Sequence, residues 1–204
     1  MNLKIEKVKE SRINQIDFSK LSFGKTFADH MFICEYKDGQ WQNPTIKPYA
    51  PITLEPSASV FHYGQAVFEG MKAYKDDNGH VFLFRPQENY KRINKSCSRL
   101  AMPEFPEEWF DQALRTLVDI DSEWIKPGFG NALYLRPFMI ATTAGVQAAP
   151  AKNYLFMIIT APVQAYYKGD VKVKIADYYS RAANGGFGFA KAAGNYAGQF
   201  FPTQ

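Results

Sequence analysis

Arg181-Ala-Ala-Asn-Gly-Gly-Phe-Gly-Phe-Ala-Lys191-Ala-Ala-Gly-Asn195-Tyr196 places one lysine among small residues, with few other charges beside it in the chain. Such a lysine can be desolvated, and burial disfavours the ammonium form, leaving a neutral amine able to attack a carbonyl. Gly185, Gly186 and Gly188 carry no Cβ, so backbone there can approach a flat ligand closely. The plainer reading of the same residues is a glycine-rich turn leading into a helix, with Lys191 reaching out to solvent. Two phosphate-binding patterns fail on this stretch. A P-loop needs Gly-Lys followed by Ser or Thr, whereas Lys191 lies between Ala190 and Ala192, and a dinucleotide fingerprint needs a third glycine where Lys191 stands.

Upstream, the chain alternates sheet and helix signals. Met31 to Tyr36 predicts a strand, and Lys37-Asp38-Gly39 supplies the turn after it. Met71 to Lys75 and His80 to Phe84 flank Asp76-Asp77-Asn78-Gly79, whose Asn-Gly accommodates positive φ in a tight hairpin. Pro86 opens a helix because its missing N–H is not needed in the first turn, and Tyr90, Ile93, Cys97 and Leu100 recur at helical spacing. A second helix is expected from Glu107 to Trp124, on the apolar stripe Phe110, Ala113, Leu114, Leu117 and Val118. Ala132 to Ala141 and Tyr154 to Ala161 read as strands separated by the loop from Thr142 to Lys152, and Val171 to Ala176 as a fresh strand.

The fold class is therefore α+β: a small domain of antiparallel sheet with flanking helices, followed by the start of a second, β-rich domain. The boundary is expected near residue 168, giving a domain over 1–168 and, over 169–204, a connector and the beginning of a larger domain. That short remainder cannot bury a core of its own.

Apolar residues make up 46% and charged residues 22%, which supports a buried core rather than disorder. The aromatic excess, 17 Phe, 12 Tyr and 3 Trp, suits a site lined with rigid rings, although composition alone favours a β-rich core as its cause. A net charge of +4 with interspersed signs excludes a basic nucleic-acid arm and still suits anionic small molecules. Cys34 and Cys97 are too few for a disulfide framework, no apolar run is long enough to cross a bilayer, and the polar start has no signal-peptide core. These features point to the cytoplasm, with no membrane and no metal cluster.

Gly-x-Gly-x-x-Lys-x-x-x-Asn-Tyr, ending on Tyr196, resembles the cofactor-lysine signature of branched-chain amino-acid aminotransferases, pyridoxal-phosphate enzymes of fold type IV with the D-amino-acid aminotransferase-like architecture. Other blocks resemble the family in the family's order: Phe23-Gly24-Lys25-Thr26-Phe27, Asp29-His30-Met31, Phe61-His62-Tyr63, Val67-Phe68-Glu69-Gly70-Met71-Lys72-Ala73-Tyr74, Leu83-Phe84-Arg85-Pro86 and Tyr134-Leu135-Arg136-Pro137. The resemblance runs from about residue 20 to the end. A D-amino-acid transaminase or an aminodeoxychorismate lyase of the same fold is the nearest alternative, and a non-catalytic fragment the alternative from another class.

The resemblance implies amino transfer between Leu, Ile or Val and 2-oxoglutarate, through a Schiff base of pyridoxal 5'-phosphate on Lys191, which also moves the proton. It places Arg92 on the cofactor phosphate, where a guanidinium fork can engage two oxygens. It places Tyr196 on the ring oxygen with Asn195 in support, and gives Arg181 a counterpart without a role. Tyr134 and Arg136, two apart on a strand and so on one face, are expected to hold a substrate carboxylate. Phe23, Tyr63, Phe68 and Tyr166 are expected to enclose the branched side chain. The loop from Thr142 to Pro150, with Val146, is expected to reach a partner subunit of a homodimer, and the family's association is with branched-chain amino-acid biosynthesis. The family continues past the lysine with a carboxylate for the pyridine nitrogen and further phosphate-binding turns. The sequence is thus expected to be an amino-terminal portion of a longer enzyme, with little turnover on its own.

Overall fold

The computed structural model describes residues 1–165 and 169–204. Among the described residues eight strands form one sheet: β1 Lys4–Ile5, β2 His30–Lys37, β3 Gln40–Pro48, β4 Ala66–Phe68, β5 Met71–Lys75, β6 Val81–Leu83, β7 Ala132–Ala141 and β8 Tyr154–Val163. Their order is β1-β3-β2-β8-β7-β5-β6, with β4 also paired to β7. Every pairing is antiparallel except β1 with β3. Among the described residues four α-helices complete the set: α1 Ser59–Tyr63, α2 Pro86–Arg99, α3 Glu107–Ile120 and α4 Gly194–Ala197. The α+β expectation holds, and the β2–β3 turn uses Asp38 and Gly39 at φ 53° and 80°, as the turn chemistry required.

Strand β7 organises the molecule. One long edge pairs with β8 from Ala132 to Ala141, while the other takes β5 at Leu133 to Leu135 and β4 at Phe138 to Ile140. The gap falls opposite Pro137, which has no N–H to donate and whose carbonyl accepts the Glu69 N–H at 2.7 Å. Side chains alternate along β7: Leu133, Leu135 and Met139 are fully buried, whereas Tyr134, Arg136, Phe138 and Ile140 are half-buried. The buried set faces α2 and α3 and joins Phe32, Phe105, Phe110 and Phe156 in the core, with Phe105 stacked on Phe156 at 3.9 Å between ring centres. The half-buried set faces the other side.

Three elements differ from the sequence reading. α3 stops at Ile120 rather than Trp124, because Asp121 turns its carboxylate inward onto His30, and a short 3-10 turn carries on to Trp124. In the β5–β6 hairpin only Gly79 has a positive φ; the turn is held instead by Asp76 Oδ1, which accepts the N–H groups of Asn78 and His80. Residues 171–176 form no strand. Val173 and Ile175 are 89% and 87% exposed, and an alternating pattern becomes a strand only when a neighbour takes its hydrogen bonds, which none of the described residues does. No helix among the described residues is long and apolar enough to cross a membrane.

Candidate active site

The chain returns to the sheet at Lys191. Ala192 bridges Val67, with the Phe68 N–H donating to the Lys191 carbonyl at 3.1 Å and the Ala193 N–H to the Ala66 carbonyl at 3.0 Å. On the other side the Lys191 N–H donates to Ser96 Oγ at 2.8 Å, and that hydroxyl donates to the Arg92 carbonyl at 2.9 Å within α2. The main chain of the lysine is therefore fixed by a strand and a helix at once. Asn195, buried, completes the support by donating to the carbonyls of Phe187 and Ala190 in the turn that precedes the lysine.

The Lys191 amine donates to the Tyr196 hydroxyl at 2.7 Å and stands 4.2 Å from the centre of the Phe68 ring and 4.8 Å from that of Tyr196. It is half-buried, with polar and ring partners, rather than sealed in the dry setting the sequence suggested. A cavity of about 670 Å³ opens on it, lined by Phe68, Tyr134, Arg136, Phe138, Ile140, Ile159, Tyr196 and Phe200 among others. The alternation of β7 puts three of these, Arg136, Phe138 and Ile140, on the cavity face beside Tyr134. Arg136 donates to the Tyr134 hydroxyl from Nε at 3.2 Å and Nη2 at 2.9 Å, and its guanidinium lies 4.5 Å over the Phe68 ring. Gly70 makes this arrangement possible, since an added Cβ would fall on the Tyr134 hydroxyl oxygen.

Arg92 stands on α2 with its Nε and Nη2 on the two oxygens of Glu69, at 2.5 and 2.7 Å. The hydrogen bonds to Glu69 hold its pKa above the ordinary arginine value against the opposing effect of burial, and the charge of Glu69 and the proximity of Tyr196 add to this. Arg181 lies 5.7 Å from the Tyr196 ring centre. Arg136, Arg181 and the Lys191 amine thus stand at the rings of Phe68 and Tyr196, with Arg92 on Glu69 nearby, an electrostatic setting that favours an anionic ligand. Among the described residues, no group of three or more His, Cys, Asp or Glu side chains could hold a metal.

Lys191, Tyr196, Phe68, Tyr134 and Arg136 come together at the cavity, whereas Arg92 is not among its lining residues and is held on Glu69, next to Phe68 in the chain. Phe23 and Tyr63 do not line this cavity. Phe23 packs edge-on against Tyr134 at 5.0 Å, so it reaches the site through that ring. Tyr63 borders a separate cavity and donates its hydroxyl to the Val146 carbonyl, because α1 turns it toward the loop that carries Val146. Tyr166 lies outside the described residues. The glycines before the lysine also differ from expectation: Gly188 is needed where the chain packs on itself, since a Cβ there would strike Ala182, and Gly185 takes a φ of 75°. Phe138, Ile140, Ile159 and Phe200 were not singled out from sequence, although period-two alternation from Tyr134 and Arg136 leads to the first two. Glu69, Asn89 and Ser96 were also missed; a lone carboxylate inside Val67-Phe68-Glu69-Gly70 was the available signal.

No family model matches the chain. Branched-chain-amino-acid transaminase 1 of Bacillus subtilis (strain 168) is 51% identical over 186 residues, covering 89% of this chain and 52% of that protein. The probable branched-chain-amino-acid aminotransferase of Staphylococcus epidermidis (strain RP62A) is 47% identical over 200 residues, covering 96% of this chain and 55% of the relative. Among solved structures, the T.th. branched-chain amino acid aminotransferase with pyridoxamine 5'-phosphate superposes with a TM-score of 0.59 at 25% identity, over 82% of this chain and 53% of that one. The chain spans about half the length of the curated relatives it matches. Over the half of their length that it spans, the chain is related in sequence and in fold to the branched-chain-amino-acid aminotransferases, of the fold-type IV class.

Proposed function

We propose that this chain carries the lysine half of a pyridoxal-phosphate-dependent aminotransferase that exchanges amino groups between Leu, Ile or Val and 2-oxoglutarate, with Lys191 as the cofactor lysine. The observation that carries the reading is the Lys191 amine, 2.7 Å from the Tyr196 hydroxyl and 4.2 Å from the centre of the Phe68 ring, at a cavity that the Tyr134–Arg136 pair also lines. These residues fit the cofactor: a primary amine for its aldehyde, a phenol for its ring oxygen and a guanidinium in Arg92 for its phosphate. When bound, that group supplies an electron sink for charge developing at the substrate Cα.

The chain's own residues do the rest. In this reading Lys191 would hold the cofactor covalently and its amine would carry a proton to and from the substrate Cα, 2.7 Å from a phenol that can share that proton. Tyr134 and Arg136 hold and orient a substrate carboxylate, since the arginine keeps donors to spare after meeting the phenol. Phe68, Phe138, Ile140 and Ile159 offer apolar walls, and burying a branched side chain against them contributes roughly 1.5–3 kcal/mol. Phe23 steadies the Tyr134 ring.

The same reading makes the protein a cytoplasmic homodimer acting in branched-chain amino-acid biosynthesis, with 1–168 as its small domain and 169–204 as the start of a larger one. Its two cysteines are free and buried, and Val146, 67% exposed on the loop tied to Tyr63, is offered to a partner. The test is Lys191→Ala in the full-length protein. Leucine-dependent amination of 2-oxoglutarate should fall by at least about a thousandfold, in the range expected for a lost covalent catalyst. In the wild type, borohydride should leave a cofactor adduct at position 191 in the peptide map. Unchanged turnover in the variant, or turnover of D-alanine in preference to leucine in the wild type, would overturn the assignment.

A further inference from the structure

We propose that Glu69 is a positioning residue for phosphate binding: its buried carboxylate grips one edge of the Arg92 guanidinium so that the other edge is presented, ready ordered, beside the lysine. The proposal rests on the pyridoxal-phosphate reading given above.

Glu69 is completely buried, yet the Arg92 side chain that it binds is 53% exposed. A carboxylate removed from water is tolerated only if its lone pairs are met, and here they are. Arg92 Nε and Nη2 donate at 2.5 and 2.7 Å, Asn89 Nδ2 at 2.8 Å and the Gly70 N–H at 3.2 Å. No hydrogen bond from Arg92 Nη1 is found among the described residues, so one edge of the fork is taken by Glu69 and the other remains for a ligand. A half-exposed arginine on a buried carboxylate also occurs at Arg12 and Asp29, but there Nη2 is tied to the Phe27 and Ala28 carbonyls, whereas among the described residues Arg92 meets Glu69 without such a carbonyl partner.

The location is also set by the fold. Arg92 and Ser96 are one helical turn apart on the same face of α2, and Ser96 holds the Lys191 N–H, so the guanidinium stands one turn along from the lysine's own anchor. Glu69 follows Phe68, the ring under the Lys191 amine, and is turned away from it where β4 breaks opposite Pro137. One dipeptide therefore serves both parts of the site: Phe68 the amine, Glu69 the arginine. A free arginine must surrender several rotamers when it closes on phosphate, and a guanidinium already held loses far less.

The experiment compares pyridoxal phosphate with unphosphorylated pyridoxal as ligands of the full-length apoprotein, by fluorescence titration. Glu69→Gln removes the charge and turns a donor toward the arginine; it should weaken pyridoxal phosphate about tenfold, equivalent to ~1.4 kcal/mol, while pyridoxal changes less than about twofold. Arg92→Ala should abolish the preference for the phosphorylated ligand, and adding Glu69→Gln to it should change nothing further. Asn89→Ala leaves the charge pair in place and keeps the proposal testable if Glu69→Gln does not fold; a loss of roughly two- to threefold confined to pyridoxal phosphate is expected, on the scale of a fraction of one hydrogen bond. Equal weakening of both ligands would make Glu69 a structural residue and overturn the proposal, as would tighter pyridoxal phosphate binding in Glu69→Gln. Loss of the preference in Arg92→Ala but not in Glu69→Gln would overturn the role of Glu69 and leave the cofactor reading standing. A wild type with no preference for the phosphorylated ligand would overturn that reading itself.

Discussion

The two faces of the sheet use the same residue types to opposite ends. On the helix-covered face, rings close on rings: Phe105 lies flat on Phe156, with Phe32 and Phe110 edge-on to Phe156. On the other face the rings of Phe68, Tyr134 and Tyr196 hold cations instead of one another's edges alone. Two of the three buried carboxylate pairs repeat the contrast. Asp121 accepts the His30 backbone N–H at 3.1 Å and Nδ1–H at 2.7 Å, while His30 Nε2 accepts the Val8 N–H, which fixes the tautomer. Both partners are almost inaccessible, and no donor is left over. Glu69 is as deeply buried, but its arginine keeps one edge free. Burial of a carboxylate therefore does not distinguish scaffold from site, and neither does an exposed partner alone: Asp29 is as buried against Arg12, which is 48% exposed but spends Nη2 on the Phe27 and Ala28 carbonyls, whereas Arg92 is held by the carboxylate of Glu69.

The contrast is broken most strongly at its closed end. Phe156→Ala deletes a ring that is wholly buried and stacked, and the free energy of unfolding should fall by about 3–5 kcal/mol, read from the urea midpoint. Affinity for pyridoxal phosphate in the fraction that stays folded should be unchanged. If the affinity fell with the stability, the two faces would not be separable.

Tyr134→Phe acts on the open face. It removes the oxygen that accepts two Arg136 donors and leaves the guanidinium held by the Phe68 ring. On the proposed aminotransferase reading, loss of roughly 1 kcal/mol of orienting interaction should raise KM for 2-oxoglutarate about fivefold in the full-length protein. Stability should move by less than about 0.5 kcal/mol, because the half-buried hydroxyl is not part of the packed core. A stability loss as large as that of Phe156→Ala, with KM unchanged, would place Tyr134 in the scaffold instead.

Much of this division is written in the chain. Leu133, Leu135 and Met139 against Tyr134, Arg136 and Phe138 is a period-two pattern that declares which face is which, and Pro86 and Asp38-Gly39 fix where elements start and turn. Lys191 stood out because small residues surround it. Other features depend on contacts distant in sequence and leave no local trace. Ser96 looks like any helix serine until Lys191 arrives 95 residues later, and the partner of Glu69 is set by how α2 lies across β4. The 171–176 segment failed for the converse reason: the local pattern is that of a strand, but pairing is a property of the neighbour.

The smallest expected effect concerns how the closed face ties down the amino-terminal segment. Asp29 accepts Ser11 Oγ at 2.5 Å, the Arg12 N–H at 3.1 Å and the Trp124 indole at 2.9 Å. Burial alone would raise its pKa, but these hydrogen bonds outweigh it and hold the carboxyl below its ordinary value. A depressed folded pKa means that Asp29 contributes its stability above the ordinary carboxylate range of about 3.9, and loses it as pH falls through that range to the folded value. Asp121 runs the other way: burial raises its pKa, so its protonation on acidification relieves a cost instead of adding one. These two carboxyls therefore oppose one another in global stability as pH falls, while the tether at Asp29 loosens locally. Hydrogen exchange at Arg12, corrected for intrinsic rates, should speed up below about pH 4. In Asp29→Asn the protection should be lower and flat across the same interval. Protection at Arg12 that stayed constant into acid in the wild type would show that the segment is held by something other than this carboxylate.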